Sequence, residues 1–494
     1  MLWSTIILTP YTRYRYDQTS FFISHSATSL LRLHYGRLQG APPLLSQYAN
    51  RLRELRVRFD GYYVPALVTL TVPAPNLEYL DIIIFDTNKA PEVPENFNSQ
   101  YPRLQYLVLE GFKSLINIRV SNLTHLCVSG SNEGVSSSGD YPKFLQLLQS
   151  SPHLEVLVVR SPHPWIPWVS YENVTDTVMF RSLKKLCLTK MTHDQAGRLL
   201  SNLAIPRGVC MSFDLFDLYR YDKSLSFFEG NLTNLSSLDE ITSLEVHIVN
   251  PALPEIIFNA AGPSGSFHTR VKAGTRLGHL QISSLQSLPV FLNNLKELHL
   301  FVSHSFVEPY RHAIQEDWDF ITTLKSLEKL VVTTRVLATS LYLVSTLTPR
   351  HASSPRHPSS PAQPPTSSAD LNHGIPIVCP KLQILWMSNE PRSLSATLEP
   401  LLSCVKSREG FLRERTLREI RLKAICSEDK STATSPSVVA DAAGRIASLR
   451  KYVDIVEYVE EFPSDGIDLP DWSEVTIRRG GTVWKEKWRP DSEE

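Results

Sequence analysis

One pattern of apolar positions recurs along the chain: a residue at i, usually leucine, is followed by apolar residues at i+3 and i+5. A pattern that returns this often predicts one structural unit repeated along the chain. Eleven copies are clear: Leu52, Leu55 and Val57; Leu77, Leu80 and Ile82; Leu104, Leu107 and Leu109; Leu123, Leu126 and Val128; Leu154, Leu157 and Val159; Leu183, Leu186 and Leu188; Leu277, Leu280 and Ile282; Leu295, Leu298 and Leu300; Leu327, Leu330 and Val332; Leu382, Leu385 and Met387; and Leu417, Ile420 and Leu422. Weaker copies are Leu31 with Leu33; Cys210, Phe213 and Leu215; and Ile241, Leu244 and Val246.

The spacing of the copies indicates the type of repeat. L-x-x-L-x-L is the core of a leucine-rich repeat, whose units are roughly 20–29 residues long. From Leu33 to Leu188 the third apolar positions advance in steps of 24, 25, 27, 19, 31 and 29 residues. One repeat cannot bury its apolar edge alone, so neighbouring strands must stack in parallel. The predicted fold is an α/β leucine-rich-repeat solenoid over residues 1–426, with a curved parallel sheet inside and irregular helices and loops outside.

Other segments complete the predicted organisation. Apolar residues three and four apart predict outer helices at 141–149 and 193–202. Residues 348–376 are rich in proline and serine and predict a disordered insertion within the array. Residues 427–440 predict a polar linker, and 441–494 a cap that protects the last apolar edge. That cap would consist of an amphipathic helix over 441–461, or a helix passing into a strand, followed by a hairpin around Gly480 and Gly481.

Composition and charge exclude several classes of protein. The 50 basic and 50 acidic side chains balance, so no global field favours nucleic acid or an anionic membrane. No apolar run approaches the roughly 20 residues that cross a bilayer. The N-terminal stretch LWSTIIL lacks the basic region and cleavage site of a secretory signal. The six cysteines are too scattered for a zinc or redox motif. We expect reduced cysteines and a cytoplasmic or nuclear protein.

No familiar catalytic motif occurs in the sequence. It contains no phosphate-binding loop, no nucleophile elbow, no H-E-x-x-H and no dinucleotide fingerprint. The prediction is a protein that is not an enzyme and that uses no cofactor and no metal.

The repeat template also predicts a binding surface, because residues at i+2 and i+4 face away from the core. This predicted concave face carries both charge signs and several aromatic rings, a mixture that suits a protein or peptide partner. An alternative for part of it is a surface that only stays hydrated, with Val156, Val158 and Ile384 covered by loops. The predicted face comprises Glu54, Arg56, Tyr79, Asp81, Tyr106, Val108, His125, Val156, Val158, Lys185, His279, Gln281, Glu297, His299, Ile384, Trp386, Glu419 and Arg421. The candidate protein-binding residues are Tyr79, Tyr106, His125, Lys185, His299 and Trp386.

The start of the chain carries a family resemblance. Leu2, Trp3, Ile6 and Leu8 match the close of a P-x-L-W-x-x-I-x-L pattern. With the irregular repeats and the Pro/Ser-rich insertion, this resembles basidiomycete-type fungal F-box proteins with degenerate leucine-rich repeats. In that family an N-terminal F-box docks on the adaptor of a cullin-type ubiquitin ligase, and the repeats hold the substrate. Residues 1–60 contain no F-box start, so the F-box itself would either lie upstream of Met1 or be lost. Residues 253–258, LPEIIF, mimic an F-box start but fall within the array, so we interpret them as a repeat's outer helix.

Two functional hypotheses follow. The first is a non-catalytic scaffold resembling the substrate-recognition part of an F-box ubiquitin-ligase receptor; its partner would be a ubiquitination substrate, and a cullin-ligase adaptor only if an upstream F-box exists. The alternative is a leucine-rich-repeat recognition or regulatory protein unrelated to ubiquitination.

Overall fold

The structure is a computed structural model of the chain. It describes 5–8, 21, 23–26, 28–38, 44–59, 71–85, 92–94, 97, 100–112, 118, 120–130, 140–160, 177–216, 235–238, 240–249, 255–272, 293–302, 318–334, 337–349, 377–389, 391–412, 415–424 and 436–459.

Short strands recur throughout this part of the chain. The strands are β1 Thr5–Leu8, β2 Leu31–Leu38, β3 Leu52–Phe59, β4 Tyr79–Ile84, β5 Tyr106–Phe112, β6 His125–Gly130, β7 Val156–Arg160, β8 Val178–Met179, β9 Lys185–Met191, β10 Leu203–Ala204, β11 Val209–Phe216, β12 Ser243–Val249, β13 Glu255–Gly262, β14 Gly265–Lys272, β15 Glu297–Val302, β16 Lys329–Thr334, β17 Ile384–Asn389, β18 Glu419–Ala424 and β19 Ile455–Tyr458.

Helices lie between some of these strands. The α-helices are α1 Leu44–Tyr48, α2 Asp140–Gln149, α3 His193–Ser201, α4 Leu337–Leu347, α5 Pro391–Leu412 and α6 Pro436–Leu449, and short 3₁₀ helices occur at Ala49–Arg51, Ser236–Leu238 and Trp318–Thr323. Two of them, α2 and α3, match the predicted outer helices closely. Helix α3 begins with a capping box, in which Thr192 accepts from the Gln195 backbone and Gln195 reaches back to Thr192. Among the described helices, none is long and apolar enough to cross a membrane.

A single large sheet of 17 strands organises the described residues. Its spatial order, read from the pairings, is β1-β2-β3-β4-β5-β6-β7-β9-β11-β14-β13-β12-β15-β16-β17-β18-β19. All neighbours are parallel except at β13, which is antiparallel to both β14 and β12. Strands β8 and β10 form a separate parallel pair. The predicted α/β class with a parallel sheet is therefore confirmed.

The aliphatic triplets explain why the strands align. Ten of the eleven clear copies lie in the described residues, and every one of their side chains is buried. In register they form continuous rows; Leu55, Leu80 and Leu107, for example, are successive partners on β3, β4 and β5. Burying one leucine contributes about 2 kcal/mol relative to leaving it exposed. One apolar core results, which runs from Ile6 on β1 to Val456 on β19. Helices α2, α3, α4 and α5 each contribute several residues to it.

A recurring turn precedes many of the strands. The backbone N–H of the first leucine of a triplet donates to the carbonyl three residues earlier in five cases, with N···O distances of 3.0–3.5 Å. The donors are Leu77, Leu104, Leu154, Leu327 and Leu382. This turn redirects the chain just before the strand, so the first leucine also points into the core.

The hairpin of β13 and β14 interrupts the parallel order. Residues 253–258 were predicted as an outer helix, and this prediction is wrong, because Glu255–Gly262 is a strand in the centre of the sheet. Ile256, Phe258 and Ala260 alternate with polar or half-buried residues and point into the core, which is the period of a strand. The hairpin turn is anchored by Ser264, whose hydroxyl donates to the Ser237 carbonyl at 2.9 Å and accepts from the Glu240 N–H at 2.9 Å.

Two further details differ from the sequence expectations. The weak copy at Cys210 is misplaced by two residues. On β11, Met211 and Phe213 face the core in register with Leu186 and Leu188, whereas Cys210 faces the other side of the sheet. Helix α6 begins at Pro436, inside the segment predicted as a linker, and is followed by β19 as in the helix-to-strand alternative. The Leu277 triplet, the hairpin around Gly480 and nearly all of the predicted disordered insertion lie outside the described residues.

A buried arginine joins the two ends of that insertion. Strands β16 and β17 pair directly although residues 335–383 lie between them. Arg408 on α5 is 1% exposed. Its guanidinium donates to the carbonyls of Leu347, at the end of α4, and of Val378 and Cys379, before β17, at 3.4, 2.7 and 2.7 Å. These bonds hold the points at which the chain leaves and returns.

The close approach at Gly262 gives a first prediction. A Cβ there would lie 2.0 Å from the Glu240 carbonyl oxygen, whereas a Cβ at Gly410 in α5 would meet nothing within 4 Å. Gly262→Ala should lower the free energy of unfolding by about 2–3 kcal/mol because backbone must move. Gly410→Ala should raise it by about 0.5–1 kcal/mol because alanine favours helix. Urea unfolding followed by circular dichroism measures both. Equal effects of the two variants would contradict the placement of the hairpin.

The contacts of Arg408 give a second prediction. Arg408→Met keeps most of the side-chain volume but removes the guanidinium from the Leu347 and Val378 carbonyls and leaves the Cys379 carbonyl with the Leu382 N–H alone. We therefore expect a loss of about 2–5 kcal/mol in unfolding free energy. Arg415→Met is the control, since the Arg415 side chain is about half exposed, and should change stability by less than about 0.5 kcal/mol. A neutral Arg408→Met variant would show that the guanidinium does not hold these chain ends.

Candidate functional site

The candidate site lies on the face of the sheet opposite the aliphatic core. We call it the polar face; on β4 it carries Tyr79 and Asp81, which alternate with the core residues Leu80 and Ile82. Strand pairing extends these positions across the sheet, so that the residues in register with Tyr79 form a first row and those in register with Asp81 form a second row. The predicted face residues in the described part all lie in these two rows; His279 and Gln281 lie outside it.

Three rings stack along the first row. Tyr79, Tyr106 and His125 occupy the same register on β4, β5 and β6. The ring centroids of Tyr79 and Tyr106 are 5.8 Å apart, and those of Tyr106 and His125 are 4.2 Å apart, with interplanar angles of 28° and 24°. Neighbouring strands are about 4.8 Å apart, so the register itself places the rings at stacking distance. We call these three residues the ring stack.

A charged cluster supports one end of the ring stack. The guanidinium of Arg56 on β3 lies 4.7 Å from the Tyr79 ring centroid, a cation–π contact. Glu54 holds Arg56 at 2.6 Å and also contacts His34 at 2.8 Å and Arg32 at 3.8 Å. Burial alone would raise the pKa of Glu54, but the hydrogen bond from His34 and the charge of Arg56 outweigh it and lower the pKa to about 2. Glu54 is therefore ionised over the whole physiological range.

At the other end of the ring stack the histidine ring is neutral, and the nearby charges of Glu155 and Lys184 pair with each other. Burial lowers the pKa of His125 to about 4, which makes its ring neutral at pH 7. Its Nδ1 lies 2.9 Å from the Thr124 hydroxyl. The next residue in the first row is Val156 on β7, and Lys185 on β9 follows it. Lys185 makes no ion pair within the described part of the chain, whereas neighbouring Lys184 contacts Glu155 at 2.7 Å.

An apolar strip lies beside the ring stack in the second row. It comprises Val108, Cys127, Val158 and Cys187 on β5, β6, β7 and β9. Val158 and Cys187 form a small apolar cluster of their own, with Cys127 and Val156 packed against it. Burial raises the pKa of the Cys187 thiol to about 12 and raises that of Cys127 as well. Both thiols stay protonated and behave as small apolar groups rather than nucleophiles.

A second cluster lies in the C-terminal half of the sheet. Trp386 on β17 lies between two cations, with Lys329 Nζ 4.4 Å and the Arg421 guanidinium 5.0 Å from its ring centroid. Its indole N–H donates to Glu419 at 2.8 Å, and Glu419 also contacts Arg421 at 2.7 Å. Five strands are thereby linked on the polar face, since Lys329 continues the network to β15 and Arg421 to β19.

At the β15 end of this cluster a carboxylate contacts a histidine and a lysine. Glu297 contacts His299 at 2.9 Å and Lys329 at 2.5 Å. The hydrogen bond from His299 is the main reason why the pKa of Glu297 falls to about 2, and the Lys329 hydrogen bond and charge add to it. This carboxylate is a fixed negative charge that neutralises Lys329.

The six candidate binding residues divide into two groups. Tyr79, Tyr106 and His125 are in contact, and Lys185 lies two strands from His125. His299 and Trp386 belong to the second cluster, beyond the four strands β11, β14, β13 and β12. Exposure separates them further. Tyr79, His299 and Trp386 are 7%, 6% and 4% exposed, so a partner has little access to them, and their role is to hold neighbouring side chains in position. The half-buried residues Tyr106, His125 and Lys185 are the ones available for direct contact.

The sequence prediction missed a polar chain at the centre of the face. His268 Nδ1 lies 2.6 Å from the side-chain oxygen Oδ1 of Asn259, and the side-chain amide nitrogen Nδ2 of Asn259 donates to Glu245 at 2.9 Å. His247 Nε2 lies 2.8 Å from the same carboxylate. His247 also stacks on Phe301 at 4.5 Å. Glu245 was reachable from the weak Leu244 copy, but Asn259 and His268 required recognition of the β13–β14 hairpin. Likewise, the Leu327 triplet places Lys329 at i+2, although the predicted face omits it.

No arrangement for metal binding occurs among the described residues, since no group of three or more His, Cys, Asp and Glu side chains is placed to hold an ion.

Two comparisons of the sequence give no match. No protein-family model matches the sequence, and no curated protein matches it.

The buried His125 gives a third prediction. Its folded-state pKa lies below the unfolded value of about 6.5, so the unfolded chain binds more protons between pH 6.5 and about 4. Protonation therefore removes stability as the pH falls through this window. In an NMR titration the His125 Cε1–H signal, assigned by its absence in His125→Gln, should stay constant from pH 7 to 5.5 and shift near pH 4. A midpoint near 6.5 would contradict the buried, stacked ring.

Proposed function

We propose that the described sheet is the inner layer of a leucine-rich-repeat solenoid and that the polar face is its concave, protein-binding surface. Two observations support this architecture. Consecutive strands pair in parallel from β1 to β7 and from β15 to β19, and the same turn precedes the strand in five places. Stacked repeats of strand and return segment have this regularity because each unit buries its apolar edge on the next.

The observation that carries the binding function is the continuous polar face. Its mixture of aromatic rings, fixed carboxylates and cations is typical of protein interfaces, in which Tyr, Trp and Arg are enriched. Glu54 and Glu297 fix the cations next to them, so much of the face is organised before a partner arrives. A preorganised surface loses less conformational entropy on binding.

Within this scaffold role, we favour the substrate-recognition part of an F-box-type ubiquitin-ligase receptor. Support comes from the LWSTIIL resemblance and from the place of that stretch in the fold. Thr5–Leu8 is the first strand, and Ile6 is buried in register with Leu33. In the family this stretch joins the F-box to the repeats. The chain would then hold a substrate without chemistry of its own, and an adaptor would be recruited through an F-box.

The experiment uses a photo-crosslinking amino acid in the full chain, expressed in cells. Introduced at Arg58 or Lys185 on the polar face, it should capture the same polypeptide, and at Lys143 on α2, on the other side of the sheet, it should not. When this protein is depleted from the cells, the captured protein should carry fewer ubiquitin conjugates, and its half-life should increase at least twofold.

Two outcomes would overturn parts of the proposal. Equal capture from Lys143 would remove the polar face as the binding surface. Capture from the polar face with unchanged half-life and ubiquitin conjugates would remove the ubiquitin-ligase role and leave a recognition or regulatory protein.

A further inference from the structure

The ring stack ends in a gap that matches a specific ligand chemistry. Along the first row, Tyr79, Tyr106 and His125 stack on one another, and the next strand carries Val156, whose side chain is too short to continue the stack. The far face of the His125 ring therefore looks over Val156 toward Lys185 on β9. A flat group of about one ring's thickness fits the strand spacing of about 4.8 Å at this point.

One side of this gap, along the strand direction, is apolar. The second-row residues beside it, Cys127, Val158 and Cys187, are uncharged, and they pack with Val156 in one small cluster. His125 presents a neutral ring, so a stacked ligand ring does not have to desolvate a cation. An aromatic side chain gains about 0.5–1.5 kcal/mol from such stacking beyond its burial.

Charge complementarity decides the second part of the ligand. At the other end of the ring stack Glu54 and Arg56 neutralise each other, and along the strands Arg160 lies 3.6 Å from Glu110. Lys185 differs, since it borders the gap and has no carboxylate within ion-pairing distance among the described residues. When a ligand stacks over Val156, the Lys185 ammonium can therefore pair with a carboxylate of that ligand.

We propose that Tyr106, His125, Val156 and Lys185 bind an extended peptide segment with an aromatic residue, any residue and then Asp or Glu (aromatic-x-acidic). This proposal rests on the proposed protein-binding function of the polar face. The aromatic ring stacks on His125 above Val156, and the Asp or Glu two residues further pairs with Lys185. Residues i and i+2 of an extended chain lie on the same side, about 6.6 Å apart. This span exceeds one strand spacing by only about 2 Å, which the flexible lysine side chain can cover.

The test pans a random dodecapeptide library, displayed on phage, against the full chain. The wild type should enrich aromatic-x-Asp or aromatic-x-Glu, and Lys185→Glu should change the acidic position to Lys or Arg. A fluorescent copy of an enriched wild-type peptide should bind Lys185→Glu and Val156→Phe at least tenfold more weakly, because the first reverses the charge and the second fills the gap. Lys325→Glu, at an exposed turn before β16, is the matched control and should bind within twofold of wild type.

Several results would overturn this inference. They are the absence of an enriched motif, an acidic preference that persists in Lys185→Glu, and unchanged binding by a Val156→Phe variant whose circular dichroism is native. If the protein self-associates and Val156→Phe blocks this self-association, the occupant of the gap is instead a second copy of the chain. Each result is separable from the proposed function, because crosslinking from Arg58 can still capture a substrate when this peptide chemistry is wrong. A confirmed motif would likewise stand if the partner's half-life were unchanged.

Discussion

The structure depends on aliphatic side chains that no strand can bury by itself. In each unit the triplet places two leucine-like residues on one side of a short strand, and the neighbouring strand completes their burial. Leu80 and Ile82 on β4 lie between their partners on β3 and β5, and the same relation holds through the ten described triplets. Register is therefore fixed by packing, since a shift of one residue would turn every triplet toward the polar face.

This constraint also determines the properties of the polar face. Because register is fixed, residues two and four positions after the first leucine line up across neighbouring strands with no further requirement on their chemistry. Rings consequently stack along the row from Tyr79 to His125, and Lys329 and Arg421 flank Trp386. The buried members of these groups hold the accessible ones in place. The face is thus organised by the core on the other side of the sheet.

Much of the fold was predictable from the sequence, because period and spacing are local signals. The strands at Leu52, Leu104 and Leu382 follow from their triplets, and α2 and α3 from apolar residues three and four apart. The β13–β14 hairpin was not predicted, because LPEIIF was interpreted as a helix from its position between repeats, although Ile256, Phe258 and Ala260 alternate as in a strand. The side of each polar-face residue was predictable from alternation, but its accessibility was not. Tyr79 and Trp386 are buried by long neighbours, Arg56 and Lys329, on adjacent strands, and lateral contacts of this kind depend on strand order and rotamer.

Distances across the hairpin test most directly whether one continuous sheet unites the chain. Arg53, Lys184 and Lys296 each follow the first leucine of a triplet, and five strand spacings separate β3 from β9 and β9 from β15. Spin labels carried on p-acetylphenylalanine at these positions avoid the native cysteines. Pulsed electron–electron double resonance should give two similar, narrow distance distributions centred at about 24 Å, since five strand spacings of about 4.8 Å separate the positions in each pair. A Lys184–Lys296 distance beyond about 40 Å, or a broad distribution for that pair alone, would show that β13 and β14 do not join the two halves.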